Sequence, residues 1–315
     1  MTHLLFLETL SPLHAGTGQS TGAVDLPIAR ERASNLPYLP GSSIKGSLRD
    51  RAANSKQFDK KAVTAIFGPE TAEAAEHAGS LAFGDAGLLL LPVRSVAGTF
   101  ALVTSPLLLL RLLRDARSAG PALNALAEAT AELARTAQHP GLGISKSEKC
   151  LLAAGTSLEA QVGPSRRVVL EDFDLEPVRT PQPDDQASKF ADALAAQLYP
   201  ANNDPWRAFL KQRLCIVHDD LMTYLAQHGT DVVTRVAIDD DSKTVKKGQL
   251  WTEENLPVGT VLLAIAEPMP NAKAGLDLAD IAKHLKGLTE QPIQLGGKAT
   301  VGRGRCQLRV VGGAV

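Results

Sequence analysis

The sequence has few aromatic residues, few cysteines and no long apolar run. Aromatics make up 4% of the 315 residues, so a core must consist mainly of Leu, Val, Ile and Ala. The cysteines, Cys150, Cys215 and Cys306, are far apart and outside any Cys-x-x-Cys pattern, which argues against a disulfide framework or a zinc site. The longest apolar cluster, at residues 107–113, is interrupted by Arg111 and is too short to cross a bilayer. The N-terminus lacks the basic region and cleavage site of a secretion signal, so we expect a cytoplasmic protein without membrane partners.

The net charge of −1 argues against a uniformly basic nucleic-acid binder. The charges are nevertheless unevenly distributed. Residues 41–61 carry six cations and two acids, and residues 298–309 carry four cations and no acid. This distribution indicates either a local basic groove on a neutral protein or ordinary solvated charge.

Hydrophobic patterning predicts an α+β fold. The outer elements are read as strand, helix, strands, helix, strand, an order that suits a ferredoxin-like domain with large insertions. The predicted strands lie at 3–10, 81–85, 88–96, 99–104, 258–266 and 306–311. The predicted helices begin after Ser42 or Ser43 and after Ser105, and continue at 121–137, 187–198, 205–214, 219–228 and 277–288. Residues 11–40 have no clear period and predict a long loop, a feature that is usually functional or disordered.

Residues 232–238 and 244–251 predict the two strands of an exposed β-hairpin. The first segment alternates between apolar and polar residues, and the polar residues 239–243 form the turn between the two. A hairpin of this kind projects from the body of a domain when few of its side chains can join the core.

Two glycine-rich segments can bring the backbone close to a phosphate. The first, residues 14–22, is not a dinucleotide fingerprint because its third glycine falls one position late. The second, Gly296-Gly297-Lys298, is not a P-loop because Pro292 replaces the upstream glycine and Ala299 replaces the magnesium-binding Ser or Thr. Close approach to a phosphate and plain turns both stay open as readings.

Asp25 and His14 are the candidate catalytic side chains. Asp25 lies between Gly22 and Pro27 in the long loop, where a carboxylate can be held exposed to bind a divalent ion or a hydroxyl. His14 can serve as a general base or a phosphate contact. A turn or cap for the acid and a structural hydrogen bond for the histidine are the alternatives. The run His218-Asp219-Asp220 looks like a metal dyad, but Asp219 is better read as the N-cap of the following helix.

Several sequence blocks together resemble the major backbone subunit of the type III-B (Cmr) CRISPR-Cas effector complex, in the RAMP superfamily. They keep the family's order from end to end, and the match is weak at residues 138–214. The blocks are TLSPLHAGTG at 9–18, VDLPIARER at 24–32, PGSSIKGSLR at 40–49, IFG at 66–68, FGDA at 83–86, PVRS at 92–95, VTRVAID at 233–239, LP at 256–257 and QLGGKATVGRG at 294–304.

The resemblance implies a single RAMP domain. Its ferredoxin-like (RRM-like) palm would occupy residues 1–137 and 258–315, with an insertion at 138–214 and a thumb hairpin at about 232–251. Asp25 matches the family's cleaving residue, with Mg²⁺ (or Mn²⁺) as its cofactor and His14 as a second catalytic candidate. The expected RNA contacts are Ser42, Ser43, Lys45, Arg49, Gly296, Gly297, Lys298, Arg303 and Arg305. The expected thumb residues are Arg235, Asp239 and Lys243.

The resemblance also implies partners and a reaction. Copies of the chain would stack head to tail on a CRISPR guide RNA, together with other type III subunits. The thumb would displace one base pair of the guide–target duplex at regular intervals. A displaced nucleotide leaves A-form geometry, so its 2'-hydroxyl can align with the next phosphorus, an alignment worth on the order of 7–11 kcal/mol in ideal cases. One loop carboxylate then suffices for target cleavage.

Three alternatives stay open at this stage. The first is a structural guide-binding subunit without cleavage activity. The second is a RAMP-type endonuclease that processes CRISPR precursor RNA, with His14 as a metal-free base. The third is an unrelated α+β enzyme with a phosphate-binding glycine loop.

Overall fold

The computed structural model describes residues 2–18, 20, 22–56, 58–69, 77–139, 144, 147–180, 184–269 and 277–313. Its strands are β1 (His3–Thr9), β2 (Tyr38–Leu39), β3 (Leu81–Phe83), β4 (Ala86–Arg94), β5 (Phe100–Thr104), β6 (Lys149–Leu152), β7 (Ala160–Val162), β8 (Ser165–Leu170), β9 (Phe173–Val178), β10 (Leu214–Val217), β11 (Asp231–Ile238), β12 (Val245–Asn255), β13 (Val261–Pro268), β14 (Ile293–Gln294) and β15 (Arg305–Gly312). Its helices are α1 (Gly41–Ala53), α2 (Lys60–Phe67), α3 (Pro106–Ser118), α4 (Asn124–Gln138), α5 (Gln186–Leu198), α6 (Pro205–Arg213), α7 (Asp219–His228) and α8 (Leu278–Thr289).

Four antiparallel strands form the centre of the fold, in the order β15, β1, β13, β4. Along the chain these strands alternate with α1 and α8, as β1, α1, β4, β13, α8, β15. This is the βαββαβ order of the split βαβ motif. The predicted α+β architecture is confirmed. In the described part of the chain, no helix has the length and apolar character that a membrane crossing requires.

β1 separates two hydrophobic clusters because its successive side chains point to opposite faces of the sheet. Leu5 and Leu7 pack in the cluster that contains residues of α1 and α8. Leu4 and Phe6 pack in the cluster that contains residues of α3, α4 and α5. All four side chains are fully buried. A strand covered on both faces needs an unbroken apolar run, which the sequence Leu-Leu-Phe-Leu provides.

The segment between β4 and β13 extends the sheet with six further strands. β5 pairs with β4, β10 lies parallel to β5, and the sheet continues through β6, β9, β8 and β7. This extension contains most of residues 138–214, where the match to the family is weak. Parts of the irregular segments predicted there, at 140–143, 145–146 and 181–183, lie outside the described residues.

The predicted N-caps of α1 and α7 are wrong, whereas Ser105 is the N-cap residue of α3 as predicted. The helix predicted to begin after Ser42 or Ser43 begins at Gly41, and no serine side chain caps it; the carboxylate of Asp85 accepts the N–H of Gly41 at 2.8 Å. His218, not Asp219, caps α7: its Nδ1 accepts the N–H of the second helical residue at 3.2 Å.

The carboxylate of Asp219 serves a different helix. Its Oδ1 accepts the N–H of Leu107 at 2.9 Å, in the first turn of α3, so Ser105 makes no side-chain cap there. A carboxylate at a helix N-terminus is stabilised by the free N–H groups and the helix dipole. In α1 and α3, an acid that is distant in the sequence therefore accepts an N-terminal N–H group, the role expected of a nearby serine.

β11 and β12 form a separate two-stranded sheet, and the predicted hairpin is present there. No residue of β11 is buried. Five large apolar side chains of the hairpin are exposed by 41–65%: Val232, Val236, Ile238, Val245 and Leu250. Val236 pairs with Leu250 and Ile238 with Val245 across the strands. The hairpin thus carries an apolar blade, formed by these five side chains, that stays largely exposed.

Candidate active site and RNA interface

The long loop of residues 11–40 contains the short strand β2, and short pairings hold the rest of its described residues in place. Single bridges join Leu13 to Leu256, His14 to Gly297 and Leu26 to Glu253. The predicted loop therefore runs as a layer across the base of the hairpin. Its path brings the sequence-predicted Asp25, His14 and glycine segments to one side of the molecule.

Asp25 is attached to the base of the hairpin. Its Oδ2 accepts hydrogen bonds from the backbone N–H of Thr252 at 2.7 Å and from the Thr252 hydroxyl at 2.9 Å. Its own N–H donates to the same hydroxyl oxygen at 3.0 Å. The backbone of Leu26 continues the pairing, donating to Thr252 O and accepting from Glu254 N, both at 3.0 Å. The loop thus adds a short parallel strand to β12.

These hydrogen bonds lower the pKa of Asp25 below its ordinary value. The backbone N–H of Thr252 contributes most and its hydroxyl next, because both donors favour the charged carboxylate. Asp25 is exposed, and no hydrogen bond from another described residue reaches its Oδ1. One ionised oxygen therefore faces the solvent-filled groove beside the hairpin.

That groove has a volume of about 440 Å³ and runs between the loop and β12. Asp25, Trp251 and Lys298 are among its lining residues. No described group of three or more His, Cys, Asp or Glu side chains is arranged to hold a metal ion. A single carboxylate still fits a hydrated Mg²⁺, which keeps several waters and takes its other ligands from substrate phosphates.

Glu254 holds the loop in its position from beneath. Its Oε2 accepts the N–H of Ile28 at 3.1 Å. Its Oε1 accepts Arg30 Nη2 at 2.5 Å and the Thr230 hydroxyl at 2.8 Å. The side chain is 7% exposed, so this is a buried ion pair whose oxygens are all used. Its backbone carbonyl also accepts the imidazole of His14 at 2.8 Å.

His14 lies close to the glycine segments rather than in the groove. Because a carbonyl can only accept, Nδ1 of His14 carries the proton in the bond to Glu254 O. A Cβ on Gly16 would lie 2.5 Å from Nε2, and one on Gly297 3.4 Å from Cδ2. The two glycines thus leave space for the ring, which is 7% exposed. A catalytic role for His14 stays a prediction.

The glycine of the Gly-Ser-Ser motif at 41–43 has a packing reason. A Cβ on Gly41 would lie 2.5 Å from the carbonyl oxygen of Phe83, so only glycine lets α1 approach the turn after β3 so closely. Among the predicted RNA contacts of this helix, Ser42 is exposed and Ser43 is half-buried. Asp85 already occupies the Gly41 N–H, which leaves less of the helix N-terminus for a phosphate.

The cations of α1 divide into free and structural groups. Lys45 is partly exposed and pairs with no acid among the described residues. Arg49 donates to the carbonyl of Pro69 at 3.0 Å. Arg51 donates to the carbonyls of Leu288, Gln291 and Pro292 and so caps the C-terminus of α8. Lys45 is therefore the cation of this helix most available to an RNA phosphate.

The C-terminal glycine segment spreads its predicted RNA contacts over several places. Gly297 pairs with His14, and Gly296 adopts a positive φ against the same residue. Lys298 points to Glu253, with 3.2 Å between Nζ and Oε1. Arg305 is exposed at the start of β15, and Arg303 is half-buried. Lys298 alone of these cations lines the Asp25 groove.

The predicted thumb residues have different surroundings. Nε of Arg235 lies 3.5 Å from Oε2 of Glu253, at the base of the hairpin. Asp239 caps the turn, accepting the N–H groups of Ser242 at 3.0 Å and Asp241 at 3.2 Å; these bonds lower its pKa. Lys243 is exposed at the tip with a φ of 57°.

Comparison with known proteins identifies the family. The profile of the RAMP superfamily matches residues 6–307. The chain belongs to the RAMP superfamily. It is 33% identical to the CRISPR system Cmr endoribonuclease Cmr4 of Pyrococcus furiosus over 302 residues, which is 96% of this chain and 93% of that protein. The expected kinship with the major backbone subunit of type III-B effectors is therefore confirmed.

Solved structures share the RAMP fold along the whole chain. The crystal structure of oligomeric Cmr4 from Pyrococcus furiosus matches with a TM-score of 0.68 at 26% identity, covering 99% of this chain and 98% of that one. A chain of the type III-B Cmr-beta complex bound to cognate target RNA matches with a TM-score of 0.66 at 19% identity, covering 98% and 97%. The second likeness concerns the fold alone.

Sequence reasoning missed three residues of this RAMP site: Thr252, Glu253 and Glu254. Each is a polar side chain in β12, and two of them are buried acids. Adjacent acids inside a strand are unusual, since buried carboxylates need partners. That pair was the one signal in the sequence that could have marked the base of the hairpin as a site.

Thr252→Val should raise the pKa of Asp25. The substitution removes the hydroxyl donor but keeps the backbone N–H, so the folded-state pKa moves part of the way from its depressed value toward the ordinary one. Selective ¹³C-carboxyl NMR titration of the full chain measures the midpoint. Thr234→Val, on the strand opposite, is the matched control and should leave the midpoint in place. An unshifted midpoint in Thr252→Val would contradict the assigned hydrogen bonds.

Glu254→Gln should destabilise the protein by about 3–5 kcal/mol, because Arg30 is left as an uncompensated buried charge. Denaturant unfolding of the full chain measures the free energy. Asp184→Asn breaks an exposed ion pair with Lys189 and should change stability by less than about 1 kcal/mol. Equal effects of the two substitutions would show that Glu254 does not hold the loop.

Proposed function

We propose that this chain is the guide-binding backbone subunit of a type III CRISPR effector and that it cleaves target RNA through Asp25. The observation that carries the proposal is the attachment of an exposed carboxylate to the base of a projecting apolar hairpin. Thr252 and Leu250 are two residues apart on β12, so the acid lies about 7 Å along the strand from the apolar blade. A blade that separates two base pairs therefore places the acid beside the distorted strand.

The apolar blade suits a wedge in a nucleic-acid duplex. Its Val, Ile and Leu side chains are 41–65% exposed, and apolar side chains inserted between base steps unstack and kink a duplex. An unstacked nucleotide is free to turn out of A-form geometry. We infer that the 2'-hydroxyl before the kink then lines up with the adjacent phosphorus, which supplies much of the rate enhancement.

Asp25 suits the remaining chemistry. Its lowered pKa keeps it ionised at neutral pH, so it can orient the attacking hydroxyl and receive its proton. A bound hydrated Mg²⁺ (or Mn²⁺) would supply charge neutralisation at the phosphate. The free Oδ1 of Asp25 is the oxygen that can hold such an ion. Asp25 is favoured over His14 as the reacting group, because the His14 ring is buried and its Nδ1 is already used.

The proposed guide contacts are phosphate contacts. Lys45, on α1, pairs with no acid in the described part of the chain, and Arg305 is exposed on β15. Such contacts carry no sequence information, which fits a guide of arbitrary sequence whose target is read by base pairing. We further propose head-to-tail stacking of copies with other effector subunits in the cytoplasm. The three cysteines are free buried thiols, as expected in a reducing compartment.

Asp25→Asn should reduce target cleavage by roughly 100- to 10,000-fold, the range of general acid–base contributions. The amide keeps the shape of the side chain, so target binding should be retained. The measurement is single-turnover cutting of complementary RNA by the assembled complex with Mg²⁺. Asp192→Asn, on α5, is the control and should cut at the wild-type rate.

EDTA provides the decisive comparison with the metal-free alternative. We expect it to abolish cutting. Cleavage that survives EDTA and is lost in His14→Ala would replace the proposal with a processing endonuclease. Normal cutting by Asp25→Asn would remove the catalytic assignment.

Lys45→Ala should weaken guide loading and reduce the slope of log affinity against log salt by about 0.7, the value for one lost phosphate contact on a single strand. Equilibrium binding of guide RNA over a range of salt concentrations measures both. Lys189→Ala, on α5, is the control for general charge and should leave the slope unchanged. An unaltered slope in Lys45→Ala would exclude Lys45 from the guide contacts.

A further inference from the structure

The groove beside the hairpin brings one acid and one base to the same space. Among the described residues that line it, Asp25 and Lys298 are the two with ionisable side chains. They come from opposite ends of the sequence, and the pairing of His14 with Gly297 connects their segments. The sequence placed Lys298 among the guide contacts, whereas the fold places it in the groove of the candidate cleavage site.

A buried carboxylate holds the Lys298 side chain. Nζ of Lys298 lies 3.2 Å from Glu253 Oε1, and Trp251 Nε1 donates to the same oxygen at 2.8 Å. Arg235 lies 3.5 Å from Oε2 on the other side. The Glu253 side chain is 3% exposed, while that of Lys298 is 34% exposed. Because Glu253 is shared by two cations, it compensates the charge of Lys298 only in part.

The surroundings of Glu253 favour its ionised form. Burial alone raises the pKa of Glu253, but the Trp251 N–H and the charges of Lys298 and Arg235 more than offset it, so its pKa is lowered overall. Hydrogen bonding to a charged carboxylate favours that form. Glu253 therefore orients the Lys298 ammonium from one side, and the other side of the ammonium is open to the groove.

The backbone at Lys298 gives a second, independent reason to look for a function. Four residues of this loop have positive φ: Gly296, Gly302 and Gly304 at 68°, 79° and 78°, and Lys298 at 65°. Glycine adopts this conformation without strain, whereas a lysine rarely does. The loop uses glycine at three of these positions and keeps a strained lysine at the one that reaches the groove. Strained residues of this kind cluster at functional sites.

We propose that Lys298 is a second catalytic residue, whose ammonium contacts the scissile phosphate of the target RNA across the groove from Asp25. This inference rests on the proposed function and assigns the reaction's second charged group. Glu253 is its positioning residue: it aims the ammonium and does not itself contact the RNA.

The step that Lys298 assists is the transfer of phosphorus from one oxygen to another. The 2'-oxygen forms a bond to the adjacent phosphorus as the bond from phosphorus to the 5'-oxygen breaks. The hydroxyl proton passes to Asp25 and then to solvent, and water protonates the departing 5'-oxygen. The products are a 2',3'-cyclic phosphate and a 5'-hydroxyl. Negative charge grows on the non-bridging oxygens during this step, and a fixed ammonium stabilises it more than it stabilises the starting phosphate.

The test uses Lys298→Gly in the fully assembled complex with guide RNA. Glycine removes the ammonium and suits the positive φ, so folding should be kept. We expect single-turnover cleavage to slow by about 100-fold or more, the usual loss for one transition-state donor, with guide loading and target affinity changed less than about threefold. Lys298→Arg retains the charge and should recover at least part of the rate.

The matched control is Glu171→Gly. Glu171 also has a positive φ, of 49°, in the turn between β8 and β9, outside the groove. It should cut, load guide and bind target as the wild type does. This control separates the loss of the ammonium from the insertion of a glycine into a turn.

Phosphorothioate substitution at the scissile position separates a catalytic contact from a structural one. Replacing one non-bridging oxygen with sulfur should slow the wild type for at least one diastereomer, and this slowing should shrink in Lys298→Gly because the contact is already gone. Glu253→Gln should show an intermediate rate and a reduced sulfur effect. A purely structural change would leave the sulfur effect intact.

The outcomes distinguish this inference from the proposed function. If Asp25→Asn stops cutting but Lys298→Gly cuts at the wild-type rate, Lys298 is not catalytic and the proposed function stands. If Lys298→Gly loses cutting only in proportion to guide loading, Lys298 is a guide contact, as the sequence had predicted. If the wild-type complex does not cut complementary RNA at all, the proposed function fails, and with it the role of Lys298.

Discussion

The structure depends on the pair of hydrogen bonds that Thr252 donates to Asp25. They turn a loop acid into part of the hairpin sheet, so the acid and the apolar blade move as one body. Without these bonds the long loop would not fix the carboxylate, and the alignment that the proposed cleavage needs would be lost. The same bonds keep the carboxylate ionised. Position and charge state thus have one physical cause.

Two adjacent acids in β12 make that attachment rigid by acting on opposite sides. Glu254 holds the loop through Ile28 and Arg30, and Glu253 holds Arg235 and Lys298. Successive residues of a strand face in opposite directions, which is why neighbours can anchor different segments. Buried carboxylates are expensive unless every oxygen is satisfied. Their presence at the base of an otherwise exposed hairpin indicates that the geometry of this junction matters more than its stability.

The glycine segments act through close contact rather than through flexibility alone. Gly16 and Gly297 make room for the His14 ring, and Gly41 lets α1 meet the turn after β3. These contacts fix the positions of the loop, the hairpin base and α1. Neither segment meets the spacing rules for nucleotide-binding loops. Gly16 and Gly297 instead accommodate protein atoms.

The sequence by itself determined the α+β class, the hairpin, the family and Asp25 as the loop acid, because local periodicity and contiguous motifs carry that information. It did not predict the caps of α1 and α3, since Asp85 and Asp219 reach those helices from elsewhere in the chain. Nor could it place Lys298 beside Asp25 or reveal the partners of Glu253. Asp25 and Lys298 are more than 200 positions apart, and only the folded sheet brings β12, the loop and the C-terminal segment to one groove.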